Sequence, residues 1–214
     1  VGVIPEDWEV VTLSSVFDVL DSDRGHNYPS SGEFYVDNHC LFLNASNVSK
    51  QGFKFDKCMY IDKHKDKILG QGKLVRNDLV LTTRGTVGNF AHYDDQIPFD
   101  NLRINSGMVI LRQKESRPID TTYLYSYLRS DITYDSLMRL VYGSAQPQLT
   151  VKIVNTLQLA LPKNKFEQTA IARALSDTDA RITTLNALIH KKEQIKQGAM
   201  QQLLTGKRRV KIAA

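Results

Sequence analysis

Cysteine is scarce in this chain of 214 residues, which holds two, Cys40 and Cys58, with no further Cys or His at zinc-finger spacing. Both are read as reduced, partly buried thiols, neither bridged nor metal-bound. Long apolar runs are missing too. The longest, Cys40 to Leu43, Cys58 to Ile61 and Met108 to Leu111, have four residues, against about 20 for a helix that crosses a bilayer. No membrane span is expected. The sequence opens without a basic stretch, apolar core and small-residue cleavage site, and meets Glu6 and Asp7 at once. Secretion therefore has no support, and the cytoplasm is the expected compartment.

Motifs for chemistry are equally sparse. A nucleotide-binding loop needs Gly, four residues, Gly, Lys and Ser or Thr, but Gly70, Gly72 and Lys73 run into Leu74. Gly85 and Gly88 build no Gly-x-Gly-x-x-Gly and precede a strand-like segment, which argues against a dinucleotide fold. No Asp-x-Lys or Glu-x-Lys occurs, so a metal-dependent nuclease that sets a carboxylate and an ammonium on one phosphate is disfavoured. The five histidines, His26, His39, His64, His92 and His190, form no His-x-His or His-x-x-x-His pair, and no metal is expected. Ser144 lacks the Gly-x-Ser-x-Gly elbow, and Asp94 with Asp95 fits a turn tip better than a catalytic dyad. No catalytic residue and no cofactor is expected.

The chain does have an ordinary globular composition, 42% hydrophobic and 24% charged, enough for one or two domains with a core. Its charge is uneven. The total of +5 divides at Pro162 into 17 basic and 19 acidic residues before and 11 basic and 4 acidic after. A basic last quarter suits a phosphate backbone or an acidic partner.

From Val10 to about Ile110 the sequence is mainly β. Leu41–Leu43, Met59–Ile61, Leu79–Thr83, Phe90–Tyr93 and Gly107–Leu111 have the β-branched and aromatic content of strands, with turn-rich stretches at Asp21–Gly32 and Asp94–Pro98 between them. Asp120 then caps a helix carrying Tyr123, Leu124, Tyr127 and Leu128, and Ile132, Leu137, Leu140 and Val141 mark a second. Gly143 and Ser144 break the pattern, and Leu157, Leu159 and Leu161 alternate as a last strand that Pro162 ends. Asn164 with Glu167 forms a capping-box signature, and nothing from Lys165 to Thr205 breaks a helix except Gly198, before Gly206 closes it. About 40 helical residues make a rod of ~60 Å. Ile171, Leu175, Ile182, Leu185 and Ile189, with Thr178 in the remaining place, alternate steps of 4 and 3 as a coiled-coil seam does. A helix cannot bury such a stripe on itself, so a partner helix is required.

Polar loops recur between the strands: Asn44, Ser46 and Asn47; Thr82, Thr83, Arg84 and Thr86; Arg103 and Asn105; Ser144, Gln146 and Gln148. These are the residue types that read base edges and phosphates. Several stretches taken together resemble the DNA-specificity subunits of type I restriction-modification systems. They are Ile4-Pro5-Glu6-Asp7-Trp8 with Leu13; Asp78 to Gly88; Gly143 to Leu149; and Leu161, Pro162, Glu167, Gln168, Ile171, Ala172, Leu175, Asp179, Ile182, Leu185, Lys191, Lys192, Ile195, Lys196, Gly198, Met200 and Leu203 to Lys207.

The resemblance implies an α+β protein: a mainly β target recognition domain at 1–162 with one or two packed helices, then at 163–214 a conserved helix of about 40 residues forming a coiled coil. It implies double-stranded DNA, methyltransferase (modification) subunits and a restriction and motor subunit as partners, no catalysis by this chain, and S-adenosylmethionine held by the methyltransferase. Such subunits usually carry two recognition domains and two long helices that pair antiparallel; this chain has one of each, as a natural half-subunit or a fragment would, and the tail through Gly206 favours the half-subunit. A second copy is then the expected helix partner, giving a homodimer that reads a bipartite palindrome. Arg84 and Thr86 are the first candidates for DNA contact, followed by Asn44, Asn47, Lys50, Arg103, Ser144 and Gln146, all in loops between strands. The seam residues are the candidates for dimerisation. The competing expectation is an interaction protein that occupies the methyltransferase through the same helix without reading DNA.

Overall fold

The computed structural model describes residues 3–141 and 148–210. The chain is α+β and forms two compact units, Val1–Thr169 and Ala170–Ala214.

In the first unit, continuous apolar runs become strands buried on both faces. β1 (Trp8–Thr12), the short helix α1 (Leu13–Val16) and β2 (Phe17–Asp21) lead to β3 (Cys40–Leu43), the hairpin β4 (Val48–Ser49) and β5 (Gly52–Phe53), and β6 (Tyr60–Ile61). After α2 (Lys63–Ile68) come β7 (Leu79–Thr82), β8 (Phe90–His92), β9 (Leu102–Ile104) and β10 (Met108–Gln113). Every residue of β3, β7 and β9 is buried, the pattern of a strand covered on both sides. One antiparallel sheet has the order β2-β10-β7-β8; a second, β6-β3-β9, is mixed, with β3 and β9 parallel. Leu41, Leu43, Leu102 and Ile104 from the second sheet share one core with Val80, Ala91, Met108 and Ile110 from the first. Burying each such aliphatic side chain contributes about 1.5–3 kcal/mol.

Three helices follow: α3 (Thr121–Leu128), α4 (Asp131–Val141) and α5 (Val151–Asn155). As the sequence predicts, Asp120 caps α3, accepting from the Tyr123 amide at 3.0 Å. The last strand, β11 (Gln158–Pro162), pairs antiparallel with β1, Trp8 lying opposite Pro162. It is buried at Leu159, Ala160, Leu161 and Pro162, so it is covered on both faces where the leucine spacing suggests one.

α6 (Lys165–Leu203) begins within this unit. Asn164 accepts from the Phe166 amide at 2.9 Å, but Glu167 does not complete a capping box; its carboxylate accepts from Trp8 Nε1 at 3.2 Å. Gln168, buried, donates to the Pro162 carbonyl and accepts from the Asp120 amide. The sequence boundary at Pro162 therefore falls before a helical turn that packs with the β structure. Sequence reading also passes over α1, α2 and α5, each of six residues or fewer, too short for a 3.6-residue period to show.

One buried ion pair ties α2 to β9. Asp66 and Arg103 are each 5% exposed. Arg103 Nε donates to Asp66 Oδ1 at 2.5 Å, Nη1 to the Gln71 carbonyl, and Nη2 to the Asp66 and Leu69 carbonyls. Lys73 Nζ reaches Asp66 Oδ2 at 2.5 Å. Burial pushes the Asp66 carboxyl up, but the hydrogen bonds from Lys73 and Arg103 outweigh it and hold it below the ordinary value of 3.8. Beside it, burial and Asp66 push the Cys40 thiol up to about 12, and both cysteines are free. Cys40 thus stays protonated and unreactive.

Two predictions follow from these contacts. Asp66→Asn leaves Arg103 buried without its counter-charge and should cost about 3–5 kcal/mol in urea unfolding; a loss under 1 kcal/mol would contradict this role. Because the native carboxyl lies below its unfolded value, the stability it contributes is fully present above about pH 3.8 and is lost as pH falls through the native value. The variant's pH–stability curve should therefore flatten relative to the parent's on the acid side.

In the second unit, α6 continues to Leu203, and Gly206 adopts φ +71° just beyond it, the conformation that closes a helix at Gly. Leu175, Ile182, Leu185 and Ile189 of the expected seam are 46–57% exposed, and Ile171 is half-buried. Thr178 donates its hydroxyl to the Ala174 carbonyl at 2.9 Å, so its polar group is satisfied along the helix where the seam lacks an aliphatic residue.

Candidate nucleic-acid interface

The segment Thr82-Thr83-Arg84-Gly85-Thr86-Val87-Gly88-Asn89 joins β7 to β8 and divides into residues that face inward and residues that face solvent. The fully buried Thr82 hydroxyl accepts from the Asn89 amide at 3.0 Å and donates to the Thr86 carbonyl. Asn89 Nδ2 donates to the Val48 carbonyl of β4 at 3.1 Å. The amides of Thr83 and Arg84 both donate to the Gly107 carbonyl, at 2.8 and 3.2 Å, and the Leu149 amide donates to the Thr83 carbonyl at 3.1 Å. The loop is thus bonded to the β4 edge, to the β9–β10 connection and to the segment before α5.

Two glycines make this path possible. Gly85 has φ +72° and Gly88 φ +90°, conformations that L side chains rarely adopt. A Cβ on Gly88 would also lie 3.4 Å from Met138 Cε and from Tyr134 Cδ2, whereas one on Gly85 would meet only Ala45, at 3.8 Å. Gly88 is constrained by packing and conformation, Gly85 by conformation alone. Ala45 brings the β3–β4 connection alongside the loop tip.

Arg84, Gly85 and Thr86 are exposed at that tip. With its amide oxygen turned toward Arg84, Gln148 accepts from Nε at 3.1 Å and Nη2 at 2.8 Å, which braces the guanidinium along one edge. Arg24 stands close by: its Nη2 donates to Asp21 Oδ1 at 2.9 Å and to the Ser106 carbonyl, one residue before Gly107. Sequence reading missed Arg24. Its only signal there is a lone arginine in the turn-rich Asp21–Gly32 stretch, because Ser106 is 82 positions away.

The other candidates divide. Asn44 is half-buried beside the tip; its Oδ1 accepts from the Ser46 amide at 2.9 Å and caps a single helical turn. Asn47 is 1% exposed: Nδ2 donates to the Lys54 and Lys57 carbonyls and Oδ1 accepts from the Asn44 amide. Its polar groups shape the β4–β5 hairpin and face no ligand. Arg103 is corrected as well. It lies within β9, 5% exposed, with its guanidinium bonded to Asp66, Leu69 and Gln71, which leaves it no face toward DNA. Lys50 is exposed, its ammonium 5.1 Å above the Tyr134 ring. Ser144 and Gln146 lie outside the described residues. Asp78, which opens the motif in sequence, is structural: it is 1% exposed and takes a two-pronged bond from Arg112, at 2.9 and 2.7 Å. Among the described residues, no three His, Cys, Asp or Glu side chains gather as a metal site, and no helix is long and apolar enough to cross a membrane.

A fixed loop that presents an arginine and a threonine, flanked by Asn44, Gln148 and Arg24, has the donors and acceptors for base edges and phosphates. Comparison with known proteins bears on the family and the fold. The chain is 29% identical over 220 residues to the type I restriction enzyme MjaVIII specificity subunit of Methanocaldococcus jannaschii, covering 99% of this chain and 48% of that protein. It thus spans about half the length of the curated relatives it matches. Its fold is similar to the crystal structure of a type I restriction-modification S subunit from M. genitalium, with TM-score 0.62, 18% identity, and coverage of 91% of this chain and 45% of that one. It is also similar to the HsdS subunit from Thermoanaerobacter tengcongensis, with TM-score 0.61, 17% identity, and coverage of 94% and 46%. The family model for the type I restriction modification DNA specificity domain matches residues 5–197, and the chain belongs to that family.

Proposed function

We propose that this chain is a non-catalytic, sequence-specific DNA recognition subunit that pairs with a second copy of itself and directs adenine methylation and restriction by partner subunits in the cytoplasm. The observation that carries the reading is the braced, exposed Arg84–Thr86 tip in a chain of the specificity family. The globular part reads double-stranded DNA, and the long helix binds its second copy and docks the methyltransferase, which in turn recruits the restriction and motor subunit. We retain Arg84 and Thr86 as the first base contacts, with Asn44 at the rim.

Pairing through Ile171, Leu175, Ile182, Leu185 and Ile189 is supported by the exposure of the last four. Charge favours an antiparallel arrangement. Lys165, Arg173 and Arg181 balance Glu167, Asp177 and Asp179 in the first half of α6, while Lys191, Lys192 and Lys196 outnumber Glu193 in the second, so parallel copies set the two basic halves together and antiparallel copies keep them apart. Two-fold symmetry then presents the same reading surface twice, and the site is a split palindrome.

The test is to co-purify the chain with its neighbouring methyltransferase subunit and map where the complex methylates a random DNA library. A split palindromic adenine motif is expected; an asymmetric motif removes the two-fold model, and a complex that forms without any sequence preference favours an interaction protein that only occupies the methyltransferase. Arg84→Ala should lose about 1–3 kcal/mol of discrimination at one position of each half-site, and an unchanged motif excludes Arg84 as a base reader. A paired Ile182→Asp and Leu185→Asp variant should run as a monomer in light scattering where the parent runs as a dimer.

A further inference from the structure

A small cavity lies beside the reading loop, between the β4–β5 hairpin and the corner where α3 meets α4. It is lined by Lys50, Gly88, Asn89, Arg129, Asp131 and Tyr134, among others. Its cations are restrained before any ligand arrives. Lys50 Nζ rests 5.1 Å above the Tyr134 ring, and the Arg129 guanidinium carbon 5.0 Å above the Tyr125 ring. Arg129 Nε also donates to the Lys50 carbonyl at 3.3 Å, tying the hairpin to the helix corner. Side chains already stacked and bonded lose less rotamer freedom on binding, which favours association.

Size and charge select the ligand. The cavity offers about 40 Å³ to water-sized groups, against the ~10–15 Å³ that one water needs on the same measure, so it takes the oxygens of a phosphate group and not a nucleobase. Among the described residues that line it, Lys50 and Arg129 stand beside one carboxylate, Asp131. A cationic lining of this kind suits a phosphodiester, which carries one negative charge per phosphate along a strand. Position points the same way. Gly88 lines the cavity two residues after Thr86, so their Cα atoms lie within about 7 Å, two steps of ~3.4 Å along one DNA strand.

We propose that this cavity is a phosphate clamp, in which Lys50 and Arg129 hold one backbone phosphate of the duplex whose bases meet the Arg84–Thr86 tip. The clamp rests on the reading of this chain as a DNA-binding subunit. It assigns Lys50 to positioning, not base readout, and brings Arg129 and Tyr134 into an interface where sequence spacing does not place them. Arg129 and Lys50 are 79 positions apart.

The experiment measures binding of the full chain, alone and with its methyltransferase subunit, to a fluorescent random-sequence duplex of about 30 base pairs across a salt series. For a Lys50→Gln, Arg129→Gln variant shown by thermal melting to be folded, the slope of log affinity against log salt should fall by about 1, and the methylation motif should stay that of the parent. Asp131→Asn, which removes the opposing charge, should tighten binding several-fold and guards against a double variant that does not fold. If the parent binds and both variants keep its affinity and slope, the clamp is overturned. A changed methylation motif in the Gln variant also overturns it, because the two side chains would then be reading bases. If the parent itself shows no salt-dependent binding, alone or in the complex, it is the DNA-binding reading that fails.

Discussion

The hydrogen bonds that hold the β7–β8 loop are the constraint on which the recognition surface depends. A loop that ordered only on meeting DNA would lose conformational freedom at the moment of binding, about 1–2 kcal/mol per residue. Here the Thr83 and Arg84 amides, the Thr83 carbonyl and the Asn89 side chain bind it to three neighbouring segments, while Thr82 and Gly88 close it on itself. Only Arg84, Gly85 and Thr86 face solvent. The scaffold half and the presenting half of one short motif are therefore distinct, and substitution at the tip leaves the scaffold's bonds, apart from that to the Thr86 carbonyl, made by backbone or by other residues.

Two arginines show how burial divides residues that look alike in sequence. Arg84 and Arg103 both sit near polar residues at the ends of apolar runs. Arg103 is 5% exposed, with four hydrogen bonds to Asp66 and to nearby carbonyls. Withdrawing it toward DNA would leave Asp66 without its buried guanidinium partner, with Lys73 and His39 at its outer oxygen, and open the α2–β9 junction, a loss no single base contact offsets. Arg84 is braced by one neutral amide and stays accessible. A charge-assisted network makes the first a fastener; a partial brace leaves the second accessible to a ligand.

The long helix poses a different requirement. Its exposed aliphatic residues satisfy neither solvent nor a core of their own unit, and covering them calls for another helix. The two M. jannaschii specificity subunits it resembles are each about twice as long as this chain.

Much of this was legible from local pattern. The capped helix at Asp120, the run of buried strands, the helix ended by Gly206 and the 4-and-3 seam all arise from interactions within a few residues, which is the range a linear sequence displays. The two-faced burial of β11, the diversion of Glu167 to Trp8 and the fastening role of Arg103 were not. Each depends on partners 32 to 159 positions away, and side-chain identity carries no record of such distances. Sequence alone thus determined which segments are helix or strand, that the helix needs a partner, and which polar types are present. Tertiary structure alone decided which of those polar groups are spent inside, because desolvation obliges every buried donor and charge to find a partner, and which, like Arg84, are left to face solvent.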